Sequence, residues 1–226
     1  MPPGRQGSIV FVHMWMTTEV VTAAPGTPIM EARSLMKEKG IRRLPVVDKR
    51  GRLVGIVTQG DIQEASPSDA TSLSIWELNY LLARTPVSEV MTKRDELLTI
   101  SPDDPIEQAA SLMRQHKVGG LPVIKGEKLV GIITESDIFD VMCKLLGIDR
   151  GGTRITLELE DEPGALATAL DVIKAHQINI LSVITCEECR SSPERGVVVI
   201  RIANYDFREV IHDLRQHRVT VLDART

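Results

Sequence analysis

Two short stretches of the chain each place a threonine and an aspartate three residues apart. In LVGIVTQGDI (residues 53–62) these are Thr58 and Asp61, and in LVGIITESDI (129–138) they are Thr134 and Asp137. An ionised aspartate only accepts hydrogen bonds, and it can take two of them from vicinal hydroxyls such as those of a ribose. A helix beginning at such a threonine would also offer free backbone N–H groups to a phosphate. The pattern is therefore compatible with nucleotide binding at each stretch.

The same spacing also has a purely structural interpretation. A threonine at the N-cap with an acidic residue three positions later forms a capping box, which satisfies two of the unpaired N–H groups at a helix start. For a single occurrence this would be the expected explanation. The two roles are compatible, because a capped helix start is also a place where anions bind.

The two stretches belong to a longer internal repeat. LPVV at residue 44 returns as LPVI at 121, and GIVTQGD at 55 returns as GIITESD at 131. In each copy a proline (Pro28, Pro105) opens a segment whose apolar residues have helical spacing, and two β-branched runs joined by a turn follow. The predicted helix positions are Ile29, Ala32 and Met36, and Ile106, Ala109, Ala110 and Met113. Each copy is thus predicted to be β-α-β-β-α, and the two should pack as pseudo-symmetric halves.

The pattern changes after the second copy. The segment from residue 153 onward is predicted to be β-α-β-β-α-β, the ferredoxin-like order. Its helices are indicated by Leu166, Ala169, Leu170 and Ile173, and by Phe207, Val210, Ile211 and Leu214. We therefore predict an α/β (α+β) protein with the first repeat at 7–65, a connecting loop and a helix from Ser74 within 66–87, the second repeat at 88–145, and a separate ferredoxin-like domain at 151–226.

The composition argues against several classes of protein. With 27 basic and 31 acidic residues and 3% aromatic residues, the chain lacks the basic, aromatic surface of a nucleic-acid binder. Charged residues or glycines interrupt every apolar run before the roughly 18 residues of a membrane span, and no secretory signal is evident. The common hydrolase, phosphate-loop and zinc-protease motifs are missing. We expect a cytoplasmic protein that is not an enzyme, requires no cofactor, and binds neither nucleic acid nor membrane.

The three cysteines are Cys143, Cys186 and Cys189. They form neither an even disulfide framework nor a four-ligand zinc set, which fits a reducing compartment. We expect Cys186 and Cys189 to be two incidental thiols at an exposed hairpin tip and predict no metal. A thiol or metal protein that uses this pair is the alternative.

Two families are recognisable in these motifs. The duplicated Gly-hydrophobic-x-Thr-x-x-Asp, with GIRRLPV (40–46) and KVGGLPV (117–123), resembles the CBS motif, and two such motifs make a CBS pair, or Bateman module. LEDEPGALATALDVIKAHQINI (159–180) resembles the start of an ACT domain, a ferredoxin-like sensor of small molecules. The combination is similar to the acetoin-utilisation AcuB family across essentially the whole chain.

The CBS resemblance implies a regulatory protein whose ligand is an adenosine-type nucleotide such as AMP, ADP or ATP. In that family the aspartate binds the ribose, the threonine contacts ribose or phosphate, and the Gly-h-x-x-h-Pro stretch encloses the adenine. The implied positions are Gly40, Ile41, Arg42, Arg43, Leu44, Pro45, Thr58 and Asp61 in the first half, and Val118, Gly119, Leu121, Pro122, Thr134 and Asp137 in the second.

The two implied sites differ in charge. Arg42 and Arg43 belong to the first, whereas glycines stand at the matching positions 119 and 120, and Lys117 replaces Gly40. Arginine can bind phosphate through two parallel hydrogen bonds. We therefore expect the first site to prefer more highly phosphorylated nucleotides, and the second to take a less charged ligand or none.

The ACT resemblance implies a site for an amino acid near the first strand-to-helix loop. The matching residues are Asp161, Glu162, Pro163, Gly164, Ala165, Leu166, Asn179 and Ile180. Gly164 would let the backbone approach a ligand closely. The alternative is that Asp161 caps a helix with Pro163 in its first turn, and that Asn179 only tolerates a left-handed turn.

Both resemblances imply a homodimer. Such a protein would signal by conformational change to an effector protein that the sequence does not identify. A structural dimerisation scaffold with vestigial sites is the competing interpretation.

Overall fold

The computed structural model describes residues 11–65, 84–186, 188–189 and 191–226, which divide into two compact units at residues 138 and 139. The helix predicted to begin at Ser74 lies outside the described residues. The mixed α/β class predicted from the sequence is confirmed.

The first unit contains both repeats except for residues 139–145 of the last helix, which belong to the second unit. After a short 3-10 turn at Val12–Met14, the first repeat forms α1 (Ile29–Lys39), β1 (Arg43–Val47), β2 (Leu53–Thr58) and α2 (Gln59–Glu64). The second forms α3 (Val87–Val90), β3 (Thr92–Lys93), α4 (Ile106–His116), β4 (Gly120–Lys125), β5 (Lys128–Thr134) and α5 (Glu135–Leu145). In each repeat the two longer strands pair as an antiparallel hairpin.

Helices α1 and α4 follow the predicted pattern. Each begins directly after its proline, Pro28 or Pro105, whose fixed φ suits a helix start. All the predicted apolar positions are buried except Ala110, which is partly buried. Both helices end in the left-handed conformation, at Gly40 with φ 65° and at Lys117 with φ 55°. The backbone is therefore the same in both halves, although lysine adopts it at a cost that glycine avoids.

The segment that precedes the first helix of each repeat pairs with the hairpin of the other repeat. Thr92 of the second repeat pairs with Ile56 of the first, and Thr17 of the first pairs with Ile132 of the second. The halves thus exchange the segments that precede their first helices. Consequently, each hairpin is completed by a residue of the other repeat.

This exchange explains one repeated glycine. A Cβ on Gly55 would lie 2.6 Å from Met91 Sδ and 2.6 Å from the Thr92 carbonyl oxygen. On Gly131 it would lie 2.5 Å from Met16 Sδ. These positions exclude a side chain because the exchanged segment of the other half passes directly over them.

The second unit is a four-stranded antiparallel sheet with two helices. After a 3-10 turn at Ile148–Arg150 come β6 (Thr153–Glu160), α6 (Ala165–Ala175), β7 (Ile180–Cys186), β8 (Arg195–Ile202), α7 (Arg208–Gln216) and β9 (Thr220–Arg225). The strand order is β7-β8-β6-β9, the predicted ferredoxin-like arrangement. Helix residues such as Ala169, Ile173, Val210 and Leu214 pack on the sheet around Ile155, Leu157 and Ile200.

Two structural interpretations of the loop residues are wrong. Asp161 does not cap α6, because the N-cap is Gly164, which has φ 100° and makes no side-chain cap bond. The left-handed residue after α6 is Gln177, with φ 56°, and not Asn179. The Asn179 carbonyl instead accepts a hydrogen bond from the backbone N–H of Ala203.

The prediction of incidental thiols at Cys186 and Cys189 is also wrong. The two form a disulfide, with Cα atoms 5.3 Å apart, which is within the normal range for such a bond. The odd number of cysteines did not predict this bond. A turn at the end of β7 brings Cys186 and Cys189 together, and Cys143 remains a free thiol.

This pairing predicts a simple titration result. The protein, unfolded without reductant, should show one reactive thiol per chain, and three after reduction, since the sequence contains three cysteines. A Cys143→Ser variant should show none before reduction. Three thiols in the untreated protein would contradict the disulfide.

Candidate functional site

Helix α5 begins with a threonine–aspartate hydrogen-bond pair. Asp137 Oδ2 accepts hydrogen bonds from the Thr134 backbone N–H at 2.7 Å and from Thr134 Oγ1 at 2.8 Å. Among the described residues, nothing donates a hydrogen bond to Asp137 Oδ1. One carboxylate oxygen therefore holds the helix start, and the other is available to a ligand hydroxyl.

The first repeat contains the same arrangement. Asp61 Oδ2 accepts from the Thr58 backbone N–H at 2.7 Å and from Thr58 Oγ1 at 2.9 Å, and the Asp61 N–H donates back to Thr58 Oγ1 at 3.2 Å. This is the complete capping box that the spacing predicted. The cap interpretation is thus confirmed at Thr58, and a ligand role remains compatible with it.

A cavity of about 410 Å³ lies between the two repeats. Its lining residues are Thr17, Glu19, Val20, Val21, Gly40, Ile41, Arg42, Arg43, Pro45, Gly119, Ile132, Thr134, Glu135, Ser136 and Asp137. It combines apolar walls, two guanidinium groups, and the first turn of α5, whose backbone N–H groups lack helical partners. We call it the inter-repeat cleft.

The sequence predicted one site from the residues of each repeat, whereas the cleft is lined by residues of both repeats. It joins the glycine-to-proline stretch of the first repeat to Thr134 and Asp137 of the second, whereas Thr58 and Asp61 are not among its lining residues. Leu44 and Leu121 are buried in the core instead, and Val118 and Pro122 do not line the cleft. The strand exchange is the reason, because it brings the start of each repeat against the other repeat's hairpin.

Arg43 and the two glycines of the second repeat face one another. A Cβ on Gly119 would lie 2.7 Å from Arg43 Nη2 and 3.0 Å from Glu135 Oε2, and a Cβ on Gly120 would overlap Arg43 Nη1. The arginine of one half therefore fills the space that a side chain would need in the other. Side chains at positions 119 and 120 would therefore compete with Arg43 for the same space.

Burial and the neighbouring charges have opposing effects on the pKa of Arg43. Burial lowers the pKa of Arg43 below its usual value, the carboxylate of Glu135 acts against this, and the neighbouring charge of Arg42 adds to the lowering. A guanidinium remains protonated in proteins despite such shifts. Arg43 is thus a partly buried cation with a carboxylate beside it.

Several lining residues were not predicted from the sequence. Glu19, Val20 and Val21 precede α1, and Glu135 and Ser136 lie inside the Thr-x-x-Asp motif. Glu135 and Ser136 could have been predicted as site residues, because they occupy the two x positions of the Thr-x-x-Asp motif. Glu19, Val20 and Val21 line the cleft only because the two repeats exchange the segments that precede their first helices.

The second unit has a cavity of about 420 Å³ beside its first loop. It is lined by Leu159, Glu160, Asp161, Glu162, Ala165, Leu166, Thr185, Cys186, Gly196, Val197 and Val198. Four of the eight predicted loop residues are among these. Pro163, Gly164, Asn179 and Ile180 are not.

Models of two known families match the chain. A family model for the CBS domain matches residues 11–68 and 87–144, just over half of the chain. The chain belongs to the CBS-domain family. Within this CBS-domain protein, residues 151–225 match the TTHA0829-like ACT domain, which corresponds to the ferredoxin-like unit.

Known CBS-domain proteins resemble the chain mainly over its first part. The protein YhcV of Bacillus subtilis is 37% identical over 123 residues, which cover 54% of this chain and 79% of YhcV. A solved structure from Vibrio cholerae, assigned to acetoin utilization (AcuB), is 32% identical with a TM-score of 0.51, covering 62% of this chain and 95% of that one. The AcuB-like resemblance is thereby confirmed for the CBS part of the chain.

Some relatives are enzymes, but they match only in part. Homoserine O-acetyltransferase of Methanococcoides burtonii is 37% identical over 124 residues, which span 54% of this chain and 22% of the enzyme. Its activity therefore does not transfer to this CBS-domain protein.

The described ranges contain neither a cluster of metal-binding side chains nor a membrane-spanning helix. No group of three or more His, Cys, Asp or Glu side chains in them could hold a metal ion. In the same part of the chain, no helix has the length and apolar character needed to span a membrane.

Proposed function

We propose that the protein is a regulatory sensor that binds an adenosine-type nucleotide in the inter-repeat cleft and acts without catalysis. The observation that carries this proposal is the convergence of three groups in one cavity. These are a carboxylate with a spare oxygen at Asp137, the first turn of α5, and the guanidinium groups of Arg42 and Arg43. Together they match a ribose diol and an attached phosphate.

Apolar side chains complete the proposed site. Val20, Val21, Ile41, Pro45 and Ile132 line the cleft beside the polar groups. A purine ring buries apolar area well against such walls, and a few polar groups then fix its orientation. In this arrangement the base lies among these residues, and the ribose faces Asp137.

Helix α5 supplies a route for the signal. Its first residues line the cleft, and the carbonyl of Leu146, just beyond its last turn, accepts hydrogen bonds from Ser182 Oγ at 3.0 Å and Arg201 Nε at 3.2 Å. The cation also suits the negative end of the helix dipole. A ligand that shifts the start of α5 thus acts on a helix whose end is attached to the ACT sheet.

For the ACT domain we infer a second, separate ligand of the amino-acid class. The cavity beside the first loop is lined by Glu160, Asp161 and Glu162, whose carboxylates suit an ammonium group, and by apolar residues such as Leu166 and Val198. Titration of single amino acids would test it. If none of the amino acids stabilises the protein, this inference is wrong and the ACT unit serves only in assembly.

A ligand screen tests the main proposal. AMP, ADP, ATP and S-adenosylmethionine are added to the full chain in a thermal-shift assay, with GMP and inorganic phosphate as controls. A ligand present at a hundred times its Kd stabilises the folded state by about 2.7 kcal/mol, so an adenosine ligand should raise Tm by several degrees. If no adenosine ligand stabilises the protein beyond the controls, the sensor proposal is wrong and a dimerisation scaffold is favoured.

A further inference from the structure

The inter-repeat cleft contains more negative than positive charge. Two guanidinium groups, on Arg42 and Arg43, face three carboxylates, on Glu19, Glu135 and Asp137. From the arginines alone one would expect a preference for highly phosphorylated ligands. The carboxylates in the same cavity argue against it, because each further phosphate adds negative charge.

The pairing of these charges determines what remains for a ligand. Arg43 Nη2 and Glu135 Oε2 lie within 2.7 and 3.0 Å of one point, the position of a Cβ on Gly119, and the charge of Glu135 acts on Arg43. Arg43 therefore has a carboxylate of the protein near its guanidinium, which offsets part of its charge without forming a close ion pair. Arg42 is exposed at the cleft, and its guanidinium makes no hydrogen bond or ion pair among the described residues, although its carbonyl accepts a hydrogen bond from the Gln59 N–H.

The first repeat provides an internal comparison. Gln59 stands at the position that matches Glu135, directly after the threonine of the motif. Its side-chain amide donates a weak hydrogen bond of 3.3 Å to the Ile41 carbonyl and carries no charge. The chain therefore already contains a neutral residue in the same local structure, and the carboxylate at position 135 is specific to the cleft that has the arginines.

We propose that Glu135 determines ligand specificity by compensating Arg43, so that the cleft selects adenosine ligands with a single phosphate over the triphosphate. This rests on the proposed function of the same cleft. In this arrangement Arg42 faces the one phosphate, Asp137 holds the ribose, and Glu135 repels any further phosphate placed near Arg43.

Substitution of Glu135 by the residue of the other repeat tests this. Kd values for AMP and ATP are measured calorimetrically for the wild type and for Glu135→Gln, with Glu107→Gln as the matched control. Glu107 lies in the first turn of α4, so that variant has the same net charge and a similar helix position but lies outside the cleft. The wild type should bind AMP more tightly than ATP, and Glu135→Gln should improve ATP relative to AMP by about tenfold. Glu107→Gln should leave the ratio unchanged.

The outcomes separate this inference from the proposed function. If AMP binds and Asp137→Ala removes that binding, but Glu135→Gln leaves the ATP-to-AMP ratio unchanged, the specificity role is wrong and the site stands. A wild type that prefers ATP would also overturn the specificity role alone. If AMP does not bind, or binds equally to Asp137→Ala, the proposed site itself fails.

Discussion

Replacing Asp137 with alanine should weaken AMP binding about a hundredfold, because the hydrogen bond from a ribose hydroxyl to the charged carboxylate is lost. The spare Oδ1 and the position of Asp137 in the wall of the inter-repeat cleft are the basis of this expectation. The variant also loses the hydrogen bonds from Thr134 to this carboxylate at the start of α5, which should cost about 1 kcal/mol of stability. Calorimetric titration with AMP and a denaturant melt measure the two effects separately.

Asp61→Ala is the matched control for this experiment. It removes the same side chain from the same kind of cap in the other repeat, so its stability loss should be similar. Because Asp61 does not line the cleft, the binding isotherm that Asp137→Ala removes should persist in Asp61→Ala. The reverse result would place the nucleotide beside Thr58 and Asp61, away from the arginines.

Gly55→Ala should destabilise the first unit by about 2 kcal/mol, because overpacking of a well-packed site typically costs 1–3 kcal/mol. The new Cβ would meet both Met91 Sδ and the backbone oxygen of Thr92 at 2.6 Å. A backbone atom of a paired strand cannot move away as a flexible side chain can. Chemical denaturation, monitored by circular dichroism, measures the loss.

The symmetry-related Gly131→Ala variant should behave differently when combined with a second change. There the backbone oxygen of Thr17 would lie at 3.1 Å, so Met16 Sδ, at 2.5 Å, accounts for most of the clash. Met16→Ala should therefore recover part of the stability of Gly131→Ala, whereas Met91→Ala should not rescue Gly55→Ala.

Gly60→Ala is the control for both glycine variants. Its Cβ would be 3.5 Å from Thr58 Oγ1, an ordinary contact, and the residue lies within α2. Alanine there should be neutral or stabilise by about 0.4–1 kcal/mol. If Gly55→Ala and Gly60→Ala had equal effects, the exchanged segments would not press on the glycines.

The local elements of this protein follow directly from its sequence. The Thr58 cap depends on residues three apart, α1 and α4 on prolines and apolar residues within one helix, and the β1–β2 hairpin on two adjacent runs. Such interactions form between residues that are near one another in the sequence, so the residue types and their spacing are sufficient to predict them. The duplication then predicted two similar halves.

The composition of the site depended on contacts between distant segments. Thr17 pairs with Ile132, and Arg43 occupies the space beside Gly119 and Gly120, about a third of the chain away. No local pattern specifies which repeat an exchanged segment will pair with, because that choice is made by packing between the halves. The repeated motif alone was therefore enough to predict the threonine–aspartate pairs at two helix starts and the residue types of the proposed nucleotide site. Only the tertiary structure decided that the arginines of the first repeat share a cavity with Asp137 of the second, and that Glu135 lies among them.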